Sequence, residues 1–164
     1  MAERRAFKHV EYRLSGGVVP VTTVADSARM AEIRRQGTEA ERTVRRAAWE
    51  MGLRVHAPRQ RLPGSPDLVH LGFRLAVFVH GCFWHGHLGC HRATVPKRNR
   101  EFWLAKFRRN RERDRAVSRQ LRRLGFRVLT IWECETEYPA RLSAKLRPVA
   151  RAGRRRVSPS SSTV

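Results

Sequence analysis

Between Thr38 and Met51 the apolar residues Ala40, Val44, Ala47, Ala48 and Met51 recur at helical spacing. Thr38 followed by Glu41 is a capping-box pattern at the start of this stretch, and Gly52 supplies the stop. A shorter helix is predicted from Asp26 or Ser27 to Gln36, with Met30 and Ile33 on one side. Residues 1–25 show no sustained period and are broken by Gly16, Gly17 and Pro20, which predicts a flexible arm. Leu53–His56 reads as a short strand, and the following APRQRLPGSP as a loop.

Strand patterning returns in Asp67–Leu71 and, after a turn at Gly72, in Arg74–Val79. The pair predicts a hairpin whose second strand is apolar enough to be central. Residues 80–98 carry no regular period. Asn99–Leu124 is helical with a very polar middle, RRNRERDR, and Val117, Leu121 and Leu124 are its expected buried stripe. Phe126–Trp132 alternates as a buried strand. A last helix starts near Pro139 with Ala140, Leu142 and Leu146 partly buried. This order predicts an α/β fold, a mixed sheet flanked by helices, over a domain at 26–149, with a disordered basic tail at 150–164.

Charge narrows the function. The 164 residues hold 35 Lys and Arg against 14 Asp and Glu, a formal net charge of +21. Only Lys8, Lys97, Lys106 and Lys145 are lysines; the rest are arginines. Such an excess repels itself unless a polyanion is near, so nucleic acid is the expected partner. No apolar run approaches the ~20 residues of a membrane span, and the first residues have no signal-peptide character. A cytoplasmic location and a monomer are expected.

The candidate chemistry is concentrated in VFVHGCFWHGHLGCH, residues 77–91. Cys82, His87 and Cys90 sit at C-x4-H-x2-C spacing, and Cys134 follows the strand 126–132. Three thiols and an imidazole suit a closed tetrahedral structural Zn²⁺ site. His91 is an alternative to His87, and three buried free thiols are the plainer reading. His80 and His85 remain outside that shell, and a histidine can act as a general base near neutral pH. Asp67, after Pro66, either caps a turn or offers a hard oxygen to Mg²⁺. An acid, a histidine and Mg²⁺ on a basic surface point to phosphodiester hydrolysis. Phe83, Trp84 and Trp103 either enter DNA as wedges or cover the zinc site and fill the core.

SPDLV, VFVHGCFWHGH, EFWLAKFRRNRERDR and LGFRVLTIWEC, together with SARMAEIRRQGTEAE, closely resemble the very-short-patch mismatch repair endonucleases over roughly residues 26–135. The resemblance implies a restriction-endonuclease-like fold and Mg²⁺-dependent nicking of double-stranded DNA at T:G mismatches left by deamination of 5-methylcytosine. The cut falls 5′ to the mispaired thymine, and a functional link to a cytosine methyltransferase follows. By the same resemblance Asp67 binds the catalytic Mg²⁺ with the Val79 carbonyl, and His85 is the catalytic histidine. His80 and Glu41 are further active-site positions. Cys82, His87, Cys90 and Cys134 are the zinc ligands. Phe83, Trp84 and Trp103 are wedging aromatics, Met30 and Ile33 contact DNA from the minor-groove side, and Asn110 lies near the DNA.

The chain departs from the family at Val79, where a threonine is familiar, and between His87 and Cys90, where two residues replace one. Two rival functions stay open: a nickase of relaxed specificity, and a non-catalytic zinc-stabilised DNA-binding protein.

Overall fold

A computed structural model describes residues 37–154. The first element is helix α1 (Glu39–Glu50). Its predicted capping box forms: the Glu41 N–H donates to Thr38 Oγ1 at 3.3 Å, and Glu41 Oε1 accepts from the Thr38 N–H at 3.3 Å. These bonds satisfy donors that would otherwise be orphaned at the helix start.

Strands β1 (Leu68–His70) and β2 (Leu75–His80) form the predicted antiparallel hairpin, with Leu68 opposite Val77. Helix α2 (Arg100–Arg123) then crosses over to β3 (Arg127–Trp132), which pairs parallel to β2. The sheet order is β1-β2-β3, so β2 is central. A short 3₁₀ helix (Glu133–Glu137) leads into α3 (Pro139–Arg154).

Period-two alternation along β2 divides the core. Leu75 and Val77 pack with Val44 and Ala48 of α1, Ile131 of β3, and Leu142 and Leu146 of α3. Ala76 and Phe78 pack on the other face with Leu121 of α2, Val117, Val128 and Phe126. A third cluster, Phe102, Trp103 and Phe107, anchors the first half of α2 and receives Phe83, Trp84 and Val95 from the loop after β2.

Four expectations are corrected. Leu53–His56 is not a strand: only His56 bridges Val69. The Val55 N–H donates to the Leu53 carbonyl and the Val55 carbonyl accepts from Trp49 Nε1, so the backbone bends and its bonds go to α1. Leu124 is half exposed, because α2 has ended and the chain is turning into Gly125. In α3 it is Leu142 and Leu146 that are fully buried, while Ala140 is exposed. That helix also runs through Arg154, with Ala150 buried, so residues 150–154 are not the start of a tail. The arm at 1–25 and the helix with Met30 and Ile33 lie outside the described residues. No described helix is long and apolar enough to cross a membrane.

Candidate active site and thiol cluster

Register brings the cysteines together. His80 and Trp132, the last residues of the parallel strands β2 and β3, are partners. Two residues beyond each lies a cysteine, Cys82 and Cys134, and the Cys134 N–H donates to Cys82 Sγ at 3.4 Å. His87 Nδ1 sits 3.6 Å from Cys82 Sγ and 3.5 Å from Cys134 Sγ. With Cys90, all four ligand atoms lie within 4.8 Å of one another. A tetrahedral zinc shell has bonds of about 2.3 Å to sulfur and 2.0 Å to nitrogen, giving edges of about 3.5–3.8 Å, so the group fits such an ion.

His87 is the imidazole in this group; His91 is exposed. Trp132 stacks on His87 at 4.1 Å and 7°, fixing the ring plane. Burial pushes the Cys82 thiol up to about 12, whereas the Arg92 backbone N–H draws Cys90 down. The Cys82 N–H donates to Glu133 Oε2 at 3.4 Å, tying the loop to the 3₁₀ helix.

One glycine separates this cluster from a second one. Gly86 lies at φ +57°, and a Cβ there would meet Arg111 Nη1 at 2.9 Å and Phe107 Cγ at 3.0 Å. Only glycine fits this left-handed, crowded turn. The turn sends His87 toward the thiols and His85 toward α2.

His85 Nδ1 lies 2.6 Å from Asp114 Oδ2. His80 stacks on His85 at 3.8 Å and 8°, with its own Nδ1 4.0 Å from the same oxygen. Burial, then the neighbouring His85, lowers His80 to about 4, so its ring is neutral near pH 7. Burial would raise the Asp114 carboxyl, but the His85 hydrogen bond and charge outweigh it and hold it below the ordinary value.

Asp67 stands just before β1. Its Oδ2 accepts from the Val79 N–H at 2.7 Å, a bond that a longer β1 would have made with backbone. The N–H and C=O of one strand residue point to the same edge, so the Val79 carbonyl also lies on the Asp67 side. Burial pushes Asp67 up to about 6 against the pull of the Val79 N–H, and the Glu41 carboxylate adds to the rise. A half-buried carboxylate with a second acid and a carbonyl nearby is a donor set for a hard divalent cation. His85 acts electrostatically on Asp67 in the opposite sense, the smallest of these influences.

Glu41 therefore has two tasks: it completes the α1 cap and contributes negative potential at Asp67. The aromatic positions are packed rather than free. Phe83 meets Trp84, Trp103 and Phe107 edge-on at 5.0–5.7 Å, and Trp103 is only 6% exposed. Lys106 Nζ lies 5.0 Å from the Trp103 ring centroid and 5.4 Å from that of Trp84. Asn110 Nδ2 donates to the Trp84 carbonyl at 2.7 Å and fixes that turn.

Asp114 is the residue that sequence reasoning missed. It hides in RRNRERDR, but Phe107, Asn110, Asp114, Val117 and Leu121 follow helical spacing, so a lone acid falls on the inward stripe.

A family model described as DNA mismatch endonuclease Vsr matches residues 21–92. The type II nicking enzyme V.XorIIP of Xanthomonas oryzae pv. oryzae is 40% identical over 120 residues, covering 73% of this chain and 88% of that protein. The chain belongs to the Vsr endonuclease family. The type II nicking enzyme V.NmeAIP of Neisseria meningitidis is 37% identical over 130 residues, 79% of this chain and 92% of its own length. The DNA mismatch endonuclease Vsr of Escherichia coli is 41% identical over 108 residues, 66% of this chain and 69% of its own. This Vsr-family endonuclease thus keeps its His85–Asp114 pair and its thiol group on opposite sides of one glycine.

Proposed function

We propose that this endonuclease nicks one strand of duplex DNA at T:G mismatches, hydrolysing the phosphodiester 5′ to the mispaired thymine with Mg²⁺. The restriction-endonuclease-like architecture implied by the family suits this reading. So do the names of its relatives, one a mismatch endonuclease and others nicking enzymes. The observation that carries it is the His85 imidazole paired with Asp114 at 2.6 Å in the loop that leaves β2, the strand whose Val79 N–H is held by Asp67.

Asp67 and the Val79 carbonyl would hold Mg²⁺, which when bound supplies Lewis-acid stabilisation of charge on the phosphate oxygens. Asp114 accepts the Nδ1–H of His85, which leaves Nε2 as the basic nitrogen. Nε2 takes a proton from water as the water oxygen forms a bond to phosphorus. The P–O3′ bond breaks in line, the leaving oxygen takes a proton from solvent, and a 3′-hydroxyl and a 5′-phosphate result. General-base action of this kind is worth about 10²–10⁴-fold. His80, neutral and stacked, keeps the His85 ring in plane.

Cys82, His87, Cys90 and Cys134 would hold Zn²⁺ in a closed shell that leaves no open position and pins the loop carrying His85. Phe83 and Trp84 would wedge beside the mispair, backed by the buried Trp103, with Met30 and Ile33 contacting DNA from the minor-groove side, while Asn110 holds Trp84 in place. A wobble pair opens at lower cost than a matched one, which selects T:G. A cytosine methyltransferase is the activity whose product, once deaminated, generates that substrate.

The test is nicking by purified protein with Mg²⁺ across T:G, other mismatches and matched duplex at fixed salt. T:G should be cut fastest, and Asp67→Ala and His85→Ala should be inactive. Equal cutting of matched duplex removes the mismatch reading; activity in either variant removes the site.

A further inference from the structure

We propose that the outward face of α1 is a second DNA contact, binding the phosphodiester backbone of duplex that flanks the cut; this rests on the DNA reading above. Val44 and Ala48 are the buried side of α1. Round the cylinder from them, Arg42, Arg45, Arg46 and Trp49 fall at i, i+3, i+4 and i+7, one continuous stripe. With Glu50 and Arg54 they line a shallow groove of about 550 Å³.

Charge in the groove is unbalanced: four guanidinium groups face one carboxylate. Arg42 is held by Glu39 at 2.6 Å, but Arg45 and Arg46 form no ion pair among the described residues. Arg54 lies over the Trp49 ring at 5.3 Å. Trp49 is 44% exposed, yet its Nε1–H donates to the Val55 carbonyl at 2.7 Å, so a large indole is held at the surface in a fixed pose. The Trp49 bond serves the fold, but the run of arginines beside it does not. Arg42 and Arg46 repel at i,i+4, and a cation in the first turn opposes the helix dipole. Guanidinium groups without carboxylate partners, beside an exposed and fixed indole, suit phosphate oxygens and the sugar between them.

Charge also identifies the occupant. Residues 1–36 carry seven basic and four acidic side chains, and a second copy would bring a net +21, so neither complements the groove. Duplex DNA offers one phosphate per ~3.4 Å of each strand. Glu41, in the first turn of α1, acts on Asp67, and Arg45 is one turn, about 5 Å, farther along. The groove therefore lies beyond Glu41 as seen from Asp67, on the side of the flanking duplex.

The test uses the full chain with Arg45→Gln, Arg46→Gln and Arg54→Gln combined, leaving Arg42 and Trp49 in place. Binding to T:G duplexes of 12 and 40 base pairs is measured over a salt series without divalent ions. On the long duplex the variant should bind at least tenfold more weakly near 0.1 M salt, and its log K against log salt slope should be shallower by about 2 to 3. Binding to the short duplex and single-turnover nicking at saturating DNA should be unchanged. A wild-type slope on the long duplex overturns the proposal. So does an equal loss in a control with Arg119, Arg122 and Arg123 changed to Gln, because the effect would then be bulk charge. Competition by polyglutamate equal to that by matched-charge duplex overturns the assignment to DNA. Should the wild type nick no mismatch while the slope difference stands, the nicking reading fails and the groove survives; nicking with an unaltered slope is the reverse.

Discussion

The carboxylate of Asp114 and the imidazole of His85 meet at 2.6 Å although 29 residues separate them, one on the long helix and the other in an irregular loop. Their contact defines which nitrogen of His85 stays free. In the proposed mechanism it makes a residue from an arginine-rich run support the proton transfer.

Asp114→Asn removes the charge and keeps the shape. An amide still bonds to Nδ1, but it stabilises no imidazolium and accepts the other tautomer. Single-turnover nicking of T:G duplex should fall by about 10²–10⁴-fold, while affinity for the same duplex stays within a fewfold. A wild-type rate would mean that Asp114 only packs.

Asp67 sets a pH dependence of stability. Its carboxyl is raised to about 6 in the folded chain, from an ordinary value of 3.8. The folded state thus holds the proton more tightly, and stability falls as pH rises from about 4 through about 6, with the full cost above that. Asp67→Asn should therefore melt higher than wild type in metal-free buffer at pH 7.5, by about 2 kcal/mol, and the gap should close by pH 4. Mg²⁺ should raise the melting temperature of wild type and leave that of the variant alone. Thermal unfolding followed by circular dichroism reads both effects.

The thiol group predicts metal content. Atomic emission should find about one zinc per chain. Cys134→Ser should lose it and unfold at lower temperature, and a chelator should destabilise wild type but leave Cys134→Ser little changed. A metal-free chain that melts at the same temperature as the loaded one would end the zinc assignment.

Much of this was legible along the chain because it depends on local pattern. The capping box at Thr38 and Glu41, the hairpin about Gly72 and the strand ending at Trp132 each follow from period and punctuation. The gathering of Cys82, His87, Cys90 and Cys134 was legible from spacing, since few folds would spend every cysteine on one loop and one strand end. Long-range partners were harder. Leu53–His56 has strand composition, but the Val55 carbonyl is claimed by Trp49 and that of Leu53 by the segment itself, leaving only His56 to pair with β1. Asp114 carries only its place on the inward stripe of α2, because its partner is a loop residue 29 positions earlier. The choice between His87 and His91 depended on a left-handed turn at Gly86 that composition does not reveal.

That turn has a consequence for how the loop can vary. With a single residue between them, the two imidazoles face different neighbours, so lengthening or shortening this step by even one amino acid would misdirect one of them. The span from His87 to Cys90, by contrast, bulges outward with Leu88 81% exposed, and can absorb an insertion without disturbing either side. Natural or engineered length changes should therefore accumulate on the downstream side of His87 and be absent upstream, back to His80.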